Sequence, residues 1–503
     1  MGSDFFFRAA RQCRMQAGLP CAAGRTAGRD GGGVMNGMKN KGPGNADSGD
    51  PRLEQPAPAA LYYKTILRLA LPIGLQNLIG FAVNFADNIM VGRLGDLAIA
   101  GVFIGNQIHS MVMFITSGIG ATLVILATQY WGKKDIRSIR SLTAISLWVS
   151  LGAGAVFTIL TAVFPGFIAG LLSNKEDVIL SSVPYLRFIG LSFVFFTVSQ
   201  VLVASQRSVE KVRFGMNIAL ITLVFNVGLN YCLIFGRLGF PALGVQGAAL
   251  ATLISRILEC IVAACYVFGI DKRIALRLRD LGKLDKFLCF SLLKYGAPVV
   301  AGDIVWAANS FAYTAIVGRF TADIIASFNI AGMMNTMVYI WMSGLAAALG
   351  IMTGKLVGGG APVAAIKAHS YRTQRFFPLV GLATGLFVFF FKGVLISFYN
   401  ISPEAALAAP QLLNVLALTI VGTAYQMPGL GGLVKAGGNI SFVFRNDFIF
   451  VFFVVIPSSI IAMLLKAPAW VVFLCLKCDQ ILKCFVALVV INRFRWIKDL
   501  TRG

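Results

Sequence analysis

Charge is scarce in this chain. Of 503 residues, 13% are Asp, Glu, Lys or Arg, against about 25% in an ordinary soluble domain. A soluble globular protein is excluded on that ground. Histidine is scarcer still. His109 and His369 are the only two, too few for a histidine-based metal centre. No nucleophile motif or metal-ligand cluster accompanies them, so the chain is not expected to be an enzyme. Cysteine gives no disulfide framework: Cys13 and Cys21 lie in the N-terminal tail, and the others fall mostly in apolar runs. Cys475 and Cys478 form a C-x-x-C, and two small apolar-tolerant residues one turn apart are the preferred reading over a metal or redox pair. The alternating pattern of a β-barrel is missing, so any membrane spans are helices, which satisfy their own backbone. Also missing is a short apolar core with a cleavage site near the N-terminus, so no secretory signal is expected there.

Apolar sequence is abundant. Hydrophobic residues make up 57% of the chain, with a mean hydropathy of +0.78. Runs able to cross a bilayer, which takes about 20 residues as a helix, recur after residue 65. They lie near 67–91, 97–127, 142–164, 185–205, 214–236, 244–269, 295–317, 324–353, 376–398, 410–433, 446–465 and 468–491. The net charge of +23 first suggests nucleic acid. Its distribution argues otherwise. Of 44 Lys and Arg residues, 34 fall on one side of these spans and about seven on the other. That is the positive-inside pattern, and it predicts cytoplasmic termini and no nucleic-acid partner. Residues 1–60, rich in Gly, Ala, Arg and Pro, have the composition of a disordered basic tail.

The spans are duplicated. Residues 72–132 align without a gap to 298–358, an offset of 226, with eighteen identities. These include Pro72/Pro298, Phe85/Phe311, Val91-Gly92-Arg93/Val317-Gly318-Arg319, Ser117-Gly118/Ser343-Gly344 and Gly132/Gly358. Shared apolar composition would not hold Pro, Val-Gly-Arg and Ser-Gly in one register. Arg256–Ala263 and Gln480–Ala487 extend the match to the helix that closes each half. An even number of helices per repeat gives both halves the same orientation, a parallel repeat of the kind that builds secondary transporters. The expected fold is an all-α membrane protein of twelve transmembrane helices in two pseudo-symmetric six-helix lobes. Its expected divisions are the tail 1–60, a first lobe 61–270, a cytoplasmic linker 271–294, a second lobe 295–491 and a cytoplasmic tail 492–503. The linker carries six Lys and Arg residues between Lys272 and Lys286 and suits a helix lying on the inner surface.

Several segments carry a family likeness: Leu69–Val102 with its F-A-D-N-I-M-V-G-R-L-G, Gln129–Asp135, Asn226–Phe235, Gly244–Thr252 and A-G-G-N at 436–439. In this order the chain resembles the multidrug and toxic compound extrusion (MATE) transporters, bacterial members above all, over roughly residues 60–500. The resemblance implies export of amphipathic, often cationic organic compounds by alternating access, in exchange for Na⁺ or H⁺. It also implies a multi-pass protein of the plasma (inner) membrane. A small amphipathic molecule and the bilayer are the expected partners, the chain acting as a monomer. No cofactor is expected beyond the transported ion. A flippase for a lipid-linked glycan or similar amphiphile is the alternative in the same superfamily. It would be expected to show several arginines on facing helices of the first lobe.

Ionisable residues inside spans are costly and mark function by default. Asp87 matches the helix-1 aspartate that the family uses for coupling; otherwise it is a carboxylate reaching interfacial water. Asn226 and Asn230, at i and i+4 on one face, and Thr252 match the family's first-lobe cation site. Their hard oxygens suit Na⁺, while interhelical hydrogen bonding is the alternative. Part of the family has an acid where this chain has Asp303, which makes Asp303 the second-lobe candidate. The helix-10 acid of some members is absent between Pro410 and Leu433. Arg256 with Glu259, and Asp479 with Lys483, read as buried ion pairs. Asp447, beside Arg445, is expected to reach water. Asn84, Trp306, Tyr313 and Tyr339 are candidate cavity residues, the aromatics as faces for a cation. Gly118, Gly120 and Gly344 read as close helix packing. In Arg207–Phe214 the chain departs from the family's Gly-Asn or Gly-Asp turn, which it keeps in the second half at Gly437-Gly438-Asn439.

Overall fold

The computed structural model describes residues 58–397, 399 and 402–501, and no strand occurs among them. Twelve long helices follow one another: α1 (Ala59–Gly92), α2 (Asp96–Gly132), α3 (Ile136–Val163), α4 (Glu176–Ser208), α5 (Val212–Phe235), α6 (Val245–Ile270), α7 (Lys286–Val317), α8 (Ala322–Gly358), α9 (Val363–Ser397), α10 (Pro403–Val434), α11 (Ile440–Leu464) and α12 (Ala469–Arg493). The first eleven are long and apolar enough to cross a membrane. Only α12 falls short of that measure, because Lys477, Asp479 and Lys483 interrupt it.

Most helices outrun the apolar runs that announce them. α1 has 34 residues, about 51 Å at 1.5 Å per residue, against a hydrocarbon core of about 30 Å. The excess lies at the basic ends, where polar turns project past the core and hydropathy cannot see them. Local signals set several starts. The Asp135 side chain accepts from the Ser138 N–H (3.1 Å) at the head of α3, and Asp285 from Phe287 (2.8 Å) at the head of α7. The linker is therefore shorter than expected, 271–285. It holds a single short helical turn, Leu278–Gly282, instead of a surface helix. The carboxylate of Asp271 ties it to the first lobe. That carboxylate accepts from the backbone of Arg273 (3.2 Å), Ile274 (2.9 Å) and Ala275 (3.4 Å), from Gln206 (3.2 Å) and from the Lys211 ammonium.

Within each lobe the helices pair in the same pattern. α4 packs on α2, α3 and α6, and α10 on α8, α9 and α12; α1 packs on α5, and α7 on α11. Across the lobes α1 meets α8, α2 meets α7, and α2 meets α8. The repeated Ser-Gly makes this seam possible. A Cβ on Gly118 would stand 2.6 Å from Val300 Cγ2, and one on Gly344 2.8 Å from the Gly74 nitrogen. Gly120 differs: a Cβ there would meet Ala204 at 3.5 Å, an ordinary contact inside the first lobe. From the Asn77–Ser343 hydrogen bond (3.0 Å) the seam runs toward the basic end, where Tyr62 and Thr353 hold the two nitrogens of His369, each at 3.0 Å.

Two further contacts lock that end. The chain beyond α12, expected as a cytoplasmic tail, is a strap. Trp496 is fully buried in the core of α1, α8 and α10, and Leu500 is buried in the first-lobe core. Lys498 N–H donates to Gly437 (2.7 Å), Leu500 N–H to Gln129 Oε1 (2.8 Å), and Lys133 pairs with Asp499 (3.1 Å). The departure at 207–214 also has its reason here. Glu210 adopts φ 65°, the left-handed turn that Gly438 (φ 108°) makes in the second half. A non-glycine residue pays about 1–2 kcal/mol for that conformation. In return the Glu210 carboxylate reaches Lys355 of the other lobe at 2.6 Å.

Candidate functional site

The first lobe encloses a polar cavity between α1, α2, α4, α5 and α6. It is lined by Val83, Asn84 and Asp87 of α1, Asn106 and His109 of α2, Tyr185 and Ile189 of α4, Thr222 and Asn226 of α5, and Thr252, Ser255 and Arg256 of α6. Its volume is about 20 Å³. A water-sized occupant needs roughly 10–15 Å³ on this scale, so the cavity suits an ion or a water and not an organic molecule.

Asp87 is the one carboxylate in its lining. Asn230 donates its side-chain amide to Asp87 Oδ1 and, at 3.1 Å, to Asn226 Oδ1. The one-turn spacing of the two asparagines on α5 makes this chain of bonds possible. Both are buried, at 0% and 1% exposure. Thr252 spends its hydroxyl proton on the Ala248 carbonyl (3.0 Å), which leaves its oxygen as an acceptor at the cavity wall. Among the described residues, Asn230 Oδ1, Ser255 Oγ and His109 Nδ1 are buried without a hydrogen-bond partner. Leaving such atoms unpaired costs about 1–3 kcal/mol each. A half-buried carboxylate in a cavity lined by amide and hydroxyl oxygens, some of them unsatisfied, is a receptor for a small cation.

Arg256 closes the cavity on the α6 side. Its guanidinium bonds Glu259 at 2.6 Å and lies 4.7 Å from the Phe196 ring centroid. Glu259 also accepts from Ser199 and Gln200, each at 3.0 Å. The ion pair read from the sequence is therefore present and fully bonded.

The second lobe is built differently at the same places. The 226-residue offset puts Tyr313 where the first lobe has Asp87. The two lie near the ends of α1 and α7, which stop at Gly92 and Val317. Lys483 occupies the place of Glu259 and binds two acids, Asp447 at 2.8 Å and Asp479 at 3.1 Å. Asp447, 32% exposed, reaches water as expected, and it is also the second anchor of a buried lysine. The Trp306 and Tyr339 rings meet at a tilt of 38°, their centroids 5.3 Å apart. Asp303, one turn before Trp306 on α7 and within electrostatic reach of Tyr339 and Asp447, lies at the lobe seam. It holds the position of Asn77 in the repeat and lies against Gly118 of α2, its Oδ2 buried with no hydrogen-bond partner among the described residues. Cys475 and Cys478 are free thiols, and among the described residues no cluster of three metal-ligating side chains occurs. Cys13 and Cys21 lie outside the described residues.

Asn106, His109, Tyr185, Thr222 and Ser255 were not singled out in the sequence, although they line the cavity. His109, one of only two histidines, with Asn106 one turn before it on α2, was the available signal. The others are small or aromatic residues of types common throughout the chain, and only the packing selects them.

Two duplicated helical lobes, closed on each other at one end and holding a carboxylate-lined cavity, define a membrane transporter of the alternating-access class. Sequence comparison makes the assignment narrower. The MatE family model matches residues 72–232 and 298–461, and the chain belongs to that family. It is 27% identical over 377 residues to a probable multidrug resistance protein NorM of Listeria monocytogenes, covering 74% of this chain and 81% of that protein. To the NorM of Thermotoga maritima it is 27% identical over 349 residues, covering 68% and 73%. In fold it is similar to a MATE protein solved in complex with MaL6 (TM-score 0.79, 19% identity, 88% of this chain and 98% of that one). It is similar too to an outward-facing multidrug resistance MATE transporter of the MOP superfamily (TM-score 0.77, 18% identity, 88% and 97%).

Proposed function

We propose that this protein exports amphipathic organic compounds, cationic ones included, in exchange for Na⁺ or H⁺. The observation that carries the reading is the first-lobe cavity: one carboxylate, Asp87, held by Asn230 and surrounded by oxygen ligands in a space the size of an ion. Loading that carboxylate with a cation can drive a lobe movement only if the two lobe arrangements bind the cation with different affinity. The α5 and α6 walls supply the difference, because Asn226, Asn230 and Thr252 leave Asp87 when those helices tilt. Asp303, at the seam, is the second acid: it feels the lobes part without sharing the first cavity.

The basic end, where the lobes are closed, is the cytoplasmic one on the charge distribution, with both termini inside an inner membrane. On that assignment the lobes diverge toward the outside, the arrangement named for one of the similar structures. The flippase alternative gains nothing from the cavity, whose single arginine is already paired with Glu259. The relatives support drug export as the cargo class. The direct test is efflux of an organic cation from proteoliposomes under separately imposed Na⁺ and H⁺ gradients. Export driven by neither gradient would overturn the proposal.

A further inference from the structure

One guanidinium stands between two carboxylates beside the first-lobe cavity. Arg256 lines that cavity one turn after Thr252 on α6, and Asp87 lines it from α1. The guanidinium lies within electrostatic reach of Asp87. Its Nη1 donates to Glu259 Oε2 at 2.6 Å, its one hydrogen bond among the described residues. A guanidinium carries five N–H donors in a fixed fork, so the others are unused beside the cavity. Acceptors stand ready for them: Ser255 Oγ and His109 Nδ1 are on the same walls, buried and without a partner among the described residues. Glu259 does not need the whole fork, because Ser199 and Gln200 each donate to its other oxygen at 3.0 Å.

The charge count gives the arrangement its meaning. Two acids and one arginine leave the site one positive charge short, the charge that an exchanged cation brings. In the leg of the cycle that carries the organic substrate, that cation has left and Asp87 is uncompensated. A bare carboxylate inside a lobe is costly and would hinder the lobe movement. The internal repeat points to the arginine as the remedy. Arg256–Ala263 aligns with Gln480–Ala487, so Gln480 stands in the place of Arg256, and Tyr313 stands in the place of Asp87. The lobe without the acid is also without the arginine. Packing of the guanidinium on Phe196, 4.7 Å from its ring centroid, would not tie the two residues together in this way.

We propose that Arg256 compensates Asp87 during the ion-free leg of the cycle: anchored on Glu259, its guanidinium turns its free edge to the Asp87 carboxylate once the exchanged ion has left, and gives way when the next one binds. The inference rests on the exchange function proposed above and adds a residue to that site. Arg256 is a positioning residue, acting on transport only through Asp87.

The test measures exchange of labelled for unlabelled ethidium by the full-length protein in proteoliposomes, with no ion gradient. Such exchange runs through the substrate-loaded leg alone. Arg256→Gln combined with Glu259→Gln removes the pair without leaving Glu259 charged. It should slow the exchange about tenfold, the order of one charge interaction across a partly screened site. Adding Asp87→Asn should restore a rate near that of the wild type, because no charge remains to compensate. A merely structural pair would give a loss that Asp87→Asn cannot restore. Arg256→Lys is the second variant, should the first fail to fold in a detergent unfolding assay. Its compact ammonium cannot span both acids, so exchange slows there too, and Asp87→Asn again restores it. Exchange at the wild-type rate in either variant that folds, or a loss that persists without Asp87, overturns the proposal and leaves the export function standing. Failure of the wild type to export ethidium under either a Na⁺ or a H⁺ gradient overturns both.

Discussion

A carboxylate inside a helical lobe is stable only when its surroundings compensate it; the Asn230 amide donates to one oxygen of Asp87, and the acceptor oxygens lining the same cavity leave the rest of the charge for a bound cation to balance. Asp87→Asn removes the charge that would bind a cation and keeps the shape. It should abolish gradient-driven export while the protein still inserts and folds, measured as dye efflux beside thermal unfolding in detergent. Asn230→Ala should weaken coupling less, because a neutral ligand contributes less than the charge it holds. Wild-type export by Asp87→Asn would refute the assignment. Asp271, at the edge of the bundle, makes a different prediction. Burial pushes its carboxyl upward, but the Lys211 ammonium, the backbone of Arg273 and Ile274 and the Gln206 amide outweigh that and hold it below the usual carboxylate range. A group depressed in the folded state contributes stability above its unfolded value, near about 4, and loses that contribution as pH falls through its folded value. Amide exchange at Ile274 and Ala275 should therefore accelerate only in acid. In Asp271→Asn it should be fast at neutral pH already.

At the scale of an element, α12 shows how tertiary context admits a helix that hydropathy rejects. Its three charges would bar an isolated helix from a bilayer. In place, Lys483 lies 6% exposed between Asp447 of α11 and Asp479 one turn away. The lysine therefore joins two helices of the second lobe, as Arg256 and Glu259 join α6 to Ser199 and Gln200 of α4 in the first. Removing one partner of a buried ion pair costs about 3–5 kcal/mol, largely from the charge left behind. Lys483→Met should lower stability by that order in a detergent unfolding assay. Combining it with Asp447→Asn and Asp479→Asn should recover most of the loss. If the single and triple variants are equally unstable, the carboxylates are compensated elsewhere and the network is not what holds α11 to α12.

At the scale of the molecule, closure is concentrated at the basic end. Seam glycines, the His369 contacts, the Glu210–Lys355 bridge and the C-terminal strap all lie in that half. They are unequal. The bridge is largely exposed, at 48% and 29%, and such pairs contribute about 0.2–1 kcal/mol. Trp496, fully buried, is worth more: a Trp→Ala truncation in a core costs about 3–5 kcal/mol. Opening at this end must pull the strap from Gln129 and Gly437. Trp496→Ala should then shift the population toward lobes parted at the basic end, and Lys355→Ala should do so only slightly. Spin labels on Asp135 and Val363 would report the change as a longer distance. An unchanged distance distribution in Trp496→Ala would show that the strap does not contribute to closure. Sidedness has its own check. Single cysteines at Asn174 and Glu404 should react with an impermeant reagent added to intact cells, and one at Lys283 should not.

Much of this was legible in the sequence. Apolar runs fix helices in a bilayer because nothing else satisfies the backbone there, and an ungapped 226-residue repeat fixes two lobes. Asp87, Asn226, Asn230 and Thr252 could be placed at one site because helical spacing and family motifs bring them together. The ion pairs within α6 and α12 follow from spacings of three and four. Sequence could not place what depends on packing between distant segments. It missed His109, Asn106 and Ser255 in the cavity, the second acid on Lys483, and the seam position of Asp303. It also read residues 492–503 as a tail and gave no sign that Trp496 and Leu500 pack into the cores. Each of those depends on which face of a helix meets which neighbour 36 to 371 residues away. Periodicity gives the faces of a helix, and only the assembled lobes decide what each face meets.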